Sequence, residues 1–265
     1  MVSLRADLAG RKQTGGRGMS RPSRCFEGAR AAGTALARGV GAMLARRGAA
    51  GLFVAGAAVL QAADTNAFLT AWLDAQRGLR TWSASFTQTR TLAALREPLR
   101  TPGRLWFAAP DCFRWELGEP PQTVALRRTN DLWVIYPKLK RAERYPLSAA
   151  GGEAWRDALA LLDAGFPGNR AEFEARFRLL GLAETNGWMT VRLEPRRARA
   201  RKFMREIRLT LRASDLGLVA NELLFADGSR LRNDFTNAVT NAPIPPERFD
   251  PALPADVQVV EPVQP

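Results

Sequence analysis

From residue 82 to residue 235 one pattern keeps returning: a short stretch with apolar side chains at every second position, closed by a turn signal. Trp82, Ala84 and Phe86 share a face with Gln88, and Leu105 and Phe107 flank Trp106. Phe113, Trp115 and Leu117 alternate with charged residues, and Val124 and Leu126 repeat the spacing. A period of two belongs to a half-buried β-strand. Leu132 to Tyr136 reads as a strand ended by Pro137, with Arg141–Tyr145 placed to return beside it. Further on, Asn186-Gly187 separates Phe177–Leu182 from Trp188–Leu193, and Asp215-Leu216-Gly217 separates Met204–Leu211 from Leu218–Phe225. Asp227-Gly228 leads into Ser229–Phe235. Asn-Gly and Asp-Gly between alternating segments are hairpin signals. The expectation is about eleven short, mostly antiparallel strands.

An antiparallel sheet of that size must curl or close. At about eleven strands the interior becomes too wide for side chains alone, so a helix, a ligand or both must fill it. Two stretches supply the helices. Phe68, Leu69, Trp72, Leu73 and Leu79 recur at helical spacing behind the capping side chains of Asp64-Thr65-Asn66, which predicts a helix over 65–79. After Gly151-Gly152 a second face is formed by Trp155, Ala158, Leu159 and Leu162, and it stops near Gly165-Phe166-Pro167. These are natural lids for a half-open barrel. The proline-rich tail from Pro243 is expected to wrap the surface. Neither an internal repeat nor a second domain is legible, so 64–265 reads as one mostly β (α+β) domain.

The charge is unevenly spread. The chain carries a formal +13 over 265 residues, but residues 1–63 hold ten Arg/Lys against two Asp/Glu, and the remainder holds 29 against 24. The basic excess therefore sits in a leader rather than in the folded body, which argues against a nucleic-acid binder. Within that leader, Arg46-Arg47 precedes the apolar run Ala49–Leu60, followed by the small exit Gln61-Ala62-Ala63. The run is too short to span a bilayer, for which about 20 apolar residues are needed. A cleaved export signal is the reading, with the cut after Ala62 or Ala63; an uncleaved amphipathic anchor is the alternative. Met43 would start a signal of ordinary length, and 1–42 would otherwise be a long extension. The expected compartment is the periplasm.

Several chemistries are excluded early. The chain has no histidine, which removes Ser-His-Asp and Cys-His catalysis and most catalytic zinc sites. Its two cysteines, Cys25 and Cys112, lie on opposite sides of the processing site, so a mature chain keeps one thiol; among apolar neighbours Cys112 is expected to be buried. Glu116 and Glu119 stand three apart, which in a strand directs them to opposite faces and makes a poor acid–base pair. No cofactor, no metal and no enzyme activity is expected, and the protein is expected to be a monomer.

Four segments in order now carry a resemblance. Ser85-Phe86-Thr87-Gln88 is followed by Pro102-Gly103-Arg104-Leu105-Trp106-Phe107, by Pro110-Asp111-Cys112-Phe113-Arg114-Trp115, and by Asn130-Asp131-Leu132-Trp133-Val134-Ile135-Tyr136-Pro137. Leu193-Glu194-Pro195 and the turn at Asp215–Gly217 extend the series. This order resembles the LolA family of outer-membrane lipoprotein carriers over nearly all of 64–250. The resemblance implies a half-open barrel with a helical lid, whose apolar interior carries lipoprotein acyl chains from an inner-membrane export transporter to an outer-membrane acceptor. In family members an arginine that ties the lid precedes the proline of the third segment; here that position is Ala109. The stretch Leu92–Leu99 is similar to a branch associated with other lipids, so the alternative is a carrier or a sensor, of the same fold, for a glycolipid or another acylated molecule.

The lipid-facing candidates are Trp82, Phe86, Leu105, Phe107, Phe113, Trp115 and Trp133. Plain core packing uses the same pattern, and periodicity does not separate the two. The basic hairpin Pro137–Arg141 and the cluster Arg196, Arg197, Arg199, Arg201 and Lys202 read first as solvated turns and second as docking loops.

Overall fold

The structure is a computed structural model that describes residues 58–59, 62–128, 130–147 and 164–261. Alternation of apolar and polar residues produces the strands it predicts. β1 (Ala58–Val59) is a short edge piece, and α1 (Ala62–Arg77) follows. A continuous meander then runs through β2 (Thr81–Thr91), β3 (Leu99–Ala108), β4 (Cys112–Leu117), β5 (Thr123–Arg128), β6 (Asp131–Tyr136) and β7 (Arg141–Pro146). α2 (Arg170–Arg176) leads directly into a second meander: β8 (Phe177–Thr185), β9 (Trp188–Pro195), α3 (Ala198–Phe203), β10 (Met204–Arg212), β11 (Leu218–Phe225) and β12 (Arg230–Thr240). β13 (Gln258–Val260) lies near the end.

Among the described residues all thirteen strands form one sheet, in the order β1-β8-β9-β10-β11-β12-β2-β3-β4-β5-β6-β7-β13. The meanders meet where β12 pairs antiparallel with β2, so that Phe235 stands opposite Phe86. The two ends do not pair with each other, and the sheet is an open, mostly β structure of the half-open barrel kind. The eleven long strands, β2 to β12, are the eleven that the alternation predicts. The two additions are edge pieces of two and three residues, and β13 joins β7 in parallel.

The turns follow their residues. Asn186 and Gly187 both take positive φ, 52° and 78°, as a two-residue hairpin turn demands. At 215–217 the left-handed position is held by Leu216 rather than by the glycine, and Asp215 Oδ1 accepts the Gly217 N–H at 3.0 Å. Gly103 is required for a different reason. A Cβ there would stand 2.2 Å from Phe86 Cζ and 2.5 Å from the Glu116 carbonyl oxygen. Its bare backbone lets the Phe86 ring cross β3 and meet Trp115 on β4, at 4.4 Å between centroids.

The sheet has an inner and an outer face. The inner one carries the main core, and α1 lays Phe68, Leu69 and Trp72 into it. α1 starts at Ala62, so Asp64-Thr65-Asn66 lie inside the helix instead of capping it. On the outer face Val124, Leu126, Ile135 and Ala142 form a second cluster, covered by Leu253 and Val257 of the tail. Ion pairs hold that tail down: Arg128 with Asp250, Lys140 with Asp256 at 2.8 Å, and Arg144 with Glu261 at 3.2 Å. The tail thus wraps the surface as expected. Cys112 is half-buried, a correction to its expected burial: it alternates with Phe113 and faces away from the core. The helix expected around Trp155–Leu162 and residues 1–57 of the expected leader lie outside the described residues.

Candidate functional site

The inner face is built by parity. On β2 the residues Trp82, Ala84 and Phe86 point inward, on β3 Leu105 and Phe107, on β4 Phe113 and Trp115. Six of the seven candidates therefore gather on one continuous surface. The seventh, Trp133, does not. Its neighbours Leu132 and Val134 belong to the inner core, so Trp133 faces outward, with the Arg144 guanidinium 5.8 Å from its ring centroid.

The surface is a chain of rings. Trp82 meets Phe235 edge-on at 5.2 Å, and Phe235 approaches Phe86 at 6.0 Å. Phe166, from the segment before α2, lies flat on Phe107 at 4.5 Å with 9° between planes, and it also touches Trp82 at 5.2 Å. Farther along, Trp72 of α1 meets Phe173 of α2 edge-on at 5.5 Å, and Phe173 meets Phe177 at 5.5 Å. Arg170 of α2 reaches back to α1, donating to Asn66 Oδ1 and, at 3.5 Å, to Thr70 Oγ1. The inner face thus has a cover made of α1, the Phe166 segment and α2, fastened by rings and by one arginine.

Polar groups also occupy this face. Gln88 donates to Asn233 at 3.1 Å and Asn233 to Asn221 at 2.8 Å, a buried amide ladder across β2, β12 and β11. Arg127 shares parity with the inner Ala125 and pairs with Asp111 of the β3–β4 turn at 2.9 Å. By contrast Arg104 and Arg114 lie on the outer face, paired with Glu119 at 3.3 Å and Glu116 at 2.6 Å. That engages both carboxylates of the rejected acid–base pair. It also shows that neither arginine stands in for one at Ala109, which is exposed in the turn with its N–H on the Arg80 carbonyl oxygen at 2.8 Å.

Part of each basic segment is engaged locally. Lys140 closes the turn after Pro137–Leu139 and pairs with Asp256. Arg196 Nε donates to the Phe177 carbonyl oxygen at 3.2 Å, and Arg201 of α3 donates back to the carbonyl oxygens of Pro195 and Arg196, just before that helix. On the outer face of β9 and β10, Glu206 accepts both Arg192 Nε and Nη2 at 2.8 Å and Arg208 Nε at 2.6 Å. The hydrogen bonds from Arg192, and after them Arg208, hold its carboxyl down at about 2 against the opposing effect of burial.

The sequence reading missed the fastening of the cover. Asn169 caps α2 by accepting the Glu172 N–H at 2.9 Å while its amide donates to Glu172 Oε1 at 2.8 Å. This Asn-x-x-Glu arrangement is a readable helix start. Phe173 then follows as the buried residue of the helix.

The profile of the family described as outer membrane lipoprotein carrier protein LolA matches residues 77–252, about two thirds of the chain. The chain belongs to the LolA family. Among curated members, the outer-membrane lipoprotein carrier protein of Chromobacterium violaceum is 30% identical over 183 residues, covering 69% of this chain and 82% of the relative. That of Methylibium petroleiphilum is 27% identical over 182 residues, covering 69% and 83%. Of solved structures, a LolA superfamily protein from Nitrosomonas europaea aligns at TM-score 0.38 and 11% identity, covering 69% of this chain and 96% of its own. An uncharacterized conserved protein from Thermus thermophilus aligns at TM-score 0.46 and 12% identity, covering 75% and 99%. LolA membership here stands on the sequence match, and the fold on the strand order described above. Among the described residues no helix is long and apolar enough to cross a membrane.

Proposed function

We propose that this chain is a periplasmic carrier that binds the acyl chains of lipoproteins against its inner face and conveys them between the two membranes. The observation that carries the reading is the covered ring surface: an apolar face made of Trp82, Phe86, Phe107 and Trp115, closed by a cover that rests on it through Phe166 and α1. Membership of a family of lipoprotein carriers supports the same reading.

Burying acyl chain is worth about 0.8 kcal/mol per CH₂, so a long chain does not leave a membrane for water unaided. A surface of rings and aliphatic side chains replaces the bilayer. The cover must then move, because Phe166 and Trp72 are packed into the inner core that the chains would have to enter. A ligand that displaces them gains its own burial and forfeits theirs, which keeps net affinity moderate. Moderate affinity suits a carrier that receives cargo from an inner-membrane export transporter and yields it to an outer-membrane acceptor down an affinity gradient.

The test is uptake of a triacylated peptide by the purified protein, with the unacylated peptide as control. Saturable one-to-one binding of the acylated form alone is expected. Equal affinity for both peptides, or for neither, would overturn the reading.

A further inference from the structure

Two buried N–H groups on the inner face point to a ligand more exactly defined than a hydrocarbon chain. Trp115 is 7% exposed, and its indole N–H has no hydrogen-bond partner among the described residues. The Nε–H of Arg127 is buried in the same condition. Register brings the two side chains together: Trp115 pairs with Ala125 and Phe113 with Arg127, so Trp115 and Arg127 are diagonal neighbours on one face, within reach of each other for long side chains. Buried donors are almost always satisfied, and an unmet pair on one surface marks a place for an acceptor.

Resting on the carrier reading, we propose that Trp115 and Arg127 form a seat for a neutral carbonyl oxygen at the head of the acylated ligand, an ester carbonyl. Neutrality follows from charge. Arg127 already faces Asp111 through Nη2 at 2.9 Å, so its charge is balanced, and an anionic head would meet the Asp111 carboxylate. With that charge balanced, Nε and the indole remain as two unmet donors, which suits a carbonyl. Position agrees. Arg127 stands one residue from the end of β5, beside the β3–β4 turn, while Trp115 touches Phe86 deeper on the face. A head held there would lead its chains along the rings.

The experiment compares a diacylglyceryl peptide with its ether-linked dialkyl analogue of equal chain length, which lacks the ester carbonyls. Each competes with a fluorescent acylated peptide on the full protein. The wild type is expected to prefer the ester by about tenfold, the loss anticipated for leaving a buried donor unmet. R127K keeps a cation for Asp111 but removes Nε, and W115F keeps the ring but removes the indole N–H. Each should bring the ester-to-ether preference of that same variant toward unity. Equal ester and ether binding by the wild type would sink the seat and leave the carrier reading intact. So would an undiminished preference in R127K, whose thermal melt reports folding independently. Binding of neither ligand by the wild type would overturn both.

Discussion

Phe166→Ala separates a cover from a core. Phe166 is half-buried and stacks on Phe107 at 4.5 Å, with a second contact to Trp82 at 5.2 Å. Full burial makes Phe→Ala cost about 3–5 kcal/mol. Partial burial reduces that, and the two aromatic contacts contribute about 0.5–1.5 kcal/mol each, so about 2 kcal/mol of docking energy is at stake. If this energy holds the cover down, the variant raises the open fraction about thirtyfold, since 1.4 kcal/mol is tenfold. Association of an acylated peptide, followed by stopped-flow fluorescence, should accelerate by a comparable factor while the global melting temperature falls by only a few degrees. An unchanged association rate with the whole loss appearing in global stability would make Phe166 ordinary core and refute the reasoning.

The remaining predictions follow from single contacts. Gly103→Ala puts a methyl 2.2 Å from Phe86 Cζ and 2.5 Å from a backbone carbonyl oxygen; urea denaturation should show a loss of about 1–3 kcal/mol, and wild-type stability would contradict the crossing of Phe86 over β3. Trp133→Ala should lower stability by about 1–3 kcal/mol and leave acylated-peptide affinity unchanged, because its ring faces the tail and not the inner surface; a large affinity loss would place it among the lipid-facing rings after all. Glu206 has a folded-state pKa depressed to about 2 from 4.5, so its stabilisation is present above pH 4.5 and is lost as the pH falls toward 2. Discounted for the exposure of Arg192, that loss amounts to about 1–2 kcal/mol. Glu206→Gln should flatten this part of the stability–pH curve, and an unaltered curve would remove Glu206 from the acid response.

Most strands were legible because they bury one face only, so period-two alternation survives in the sequence. β6 shows the limit. Leu132-Trp133-Val134-Ile135-Tyr136 is apolar on both sides, since the tail covers its outer face through Leu253 and Val257. Without alternation there is no sign of which side Trp133 takes. The tail itself pairs through three residues of β13, too few for a period. α2 and α3 span seven and six residues, less than two turns each, so the helical repeat hardly begins, although the Asn169–Glu172 cap was readable. Arg127 was hidden by its neighbour: Arg127-Arg128 looks like a charged strand end, yet parity with Ala125 turns one arginine inward while the other meets Asp250 on the tail.

The central claim is that the ring surface holds acylated cargo, and native mass spectrometry of the protein recovered from the periplasm of its own host tests it most directly. The account predicts a one-to-one complex whose added mass is that of an acylated lipoprotein, released when the acyl chains are removed. A protein that emerges without ligand, and then refuses an added acylated peptide, would contradict it.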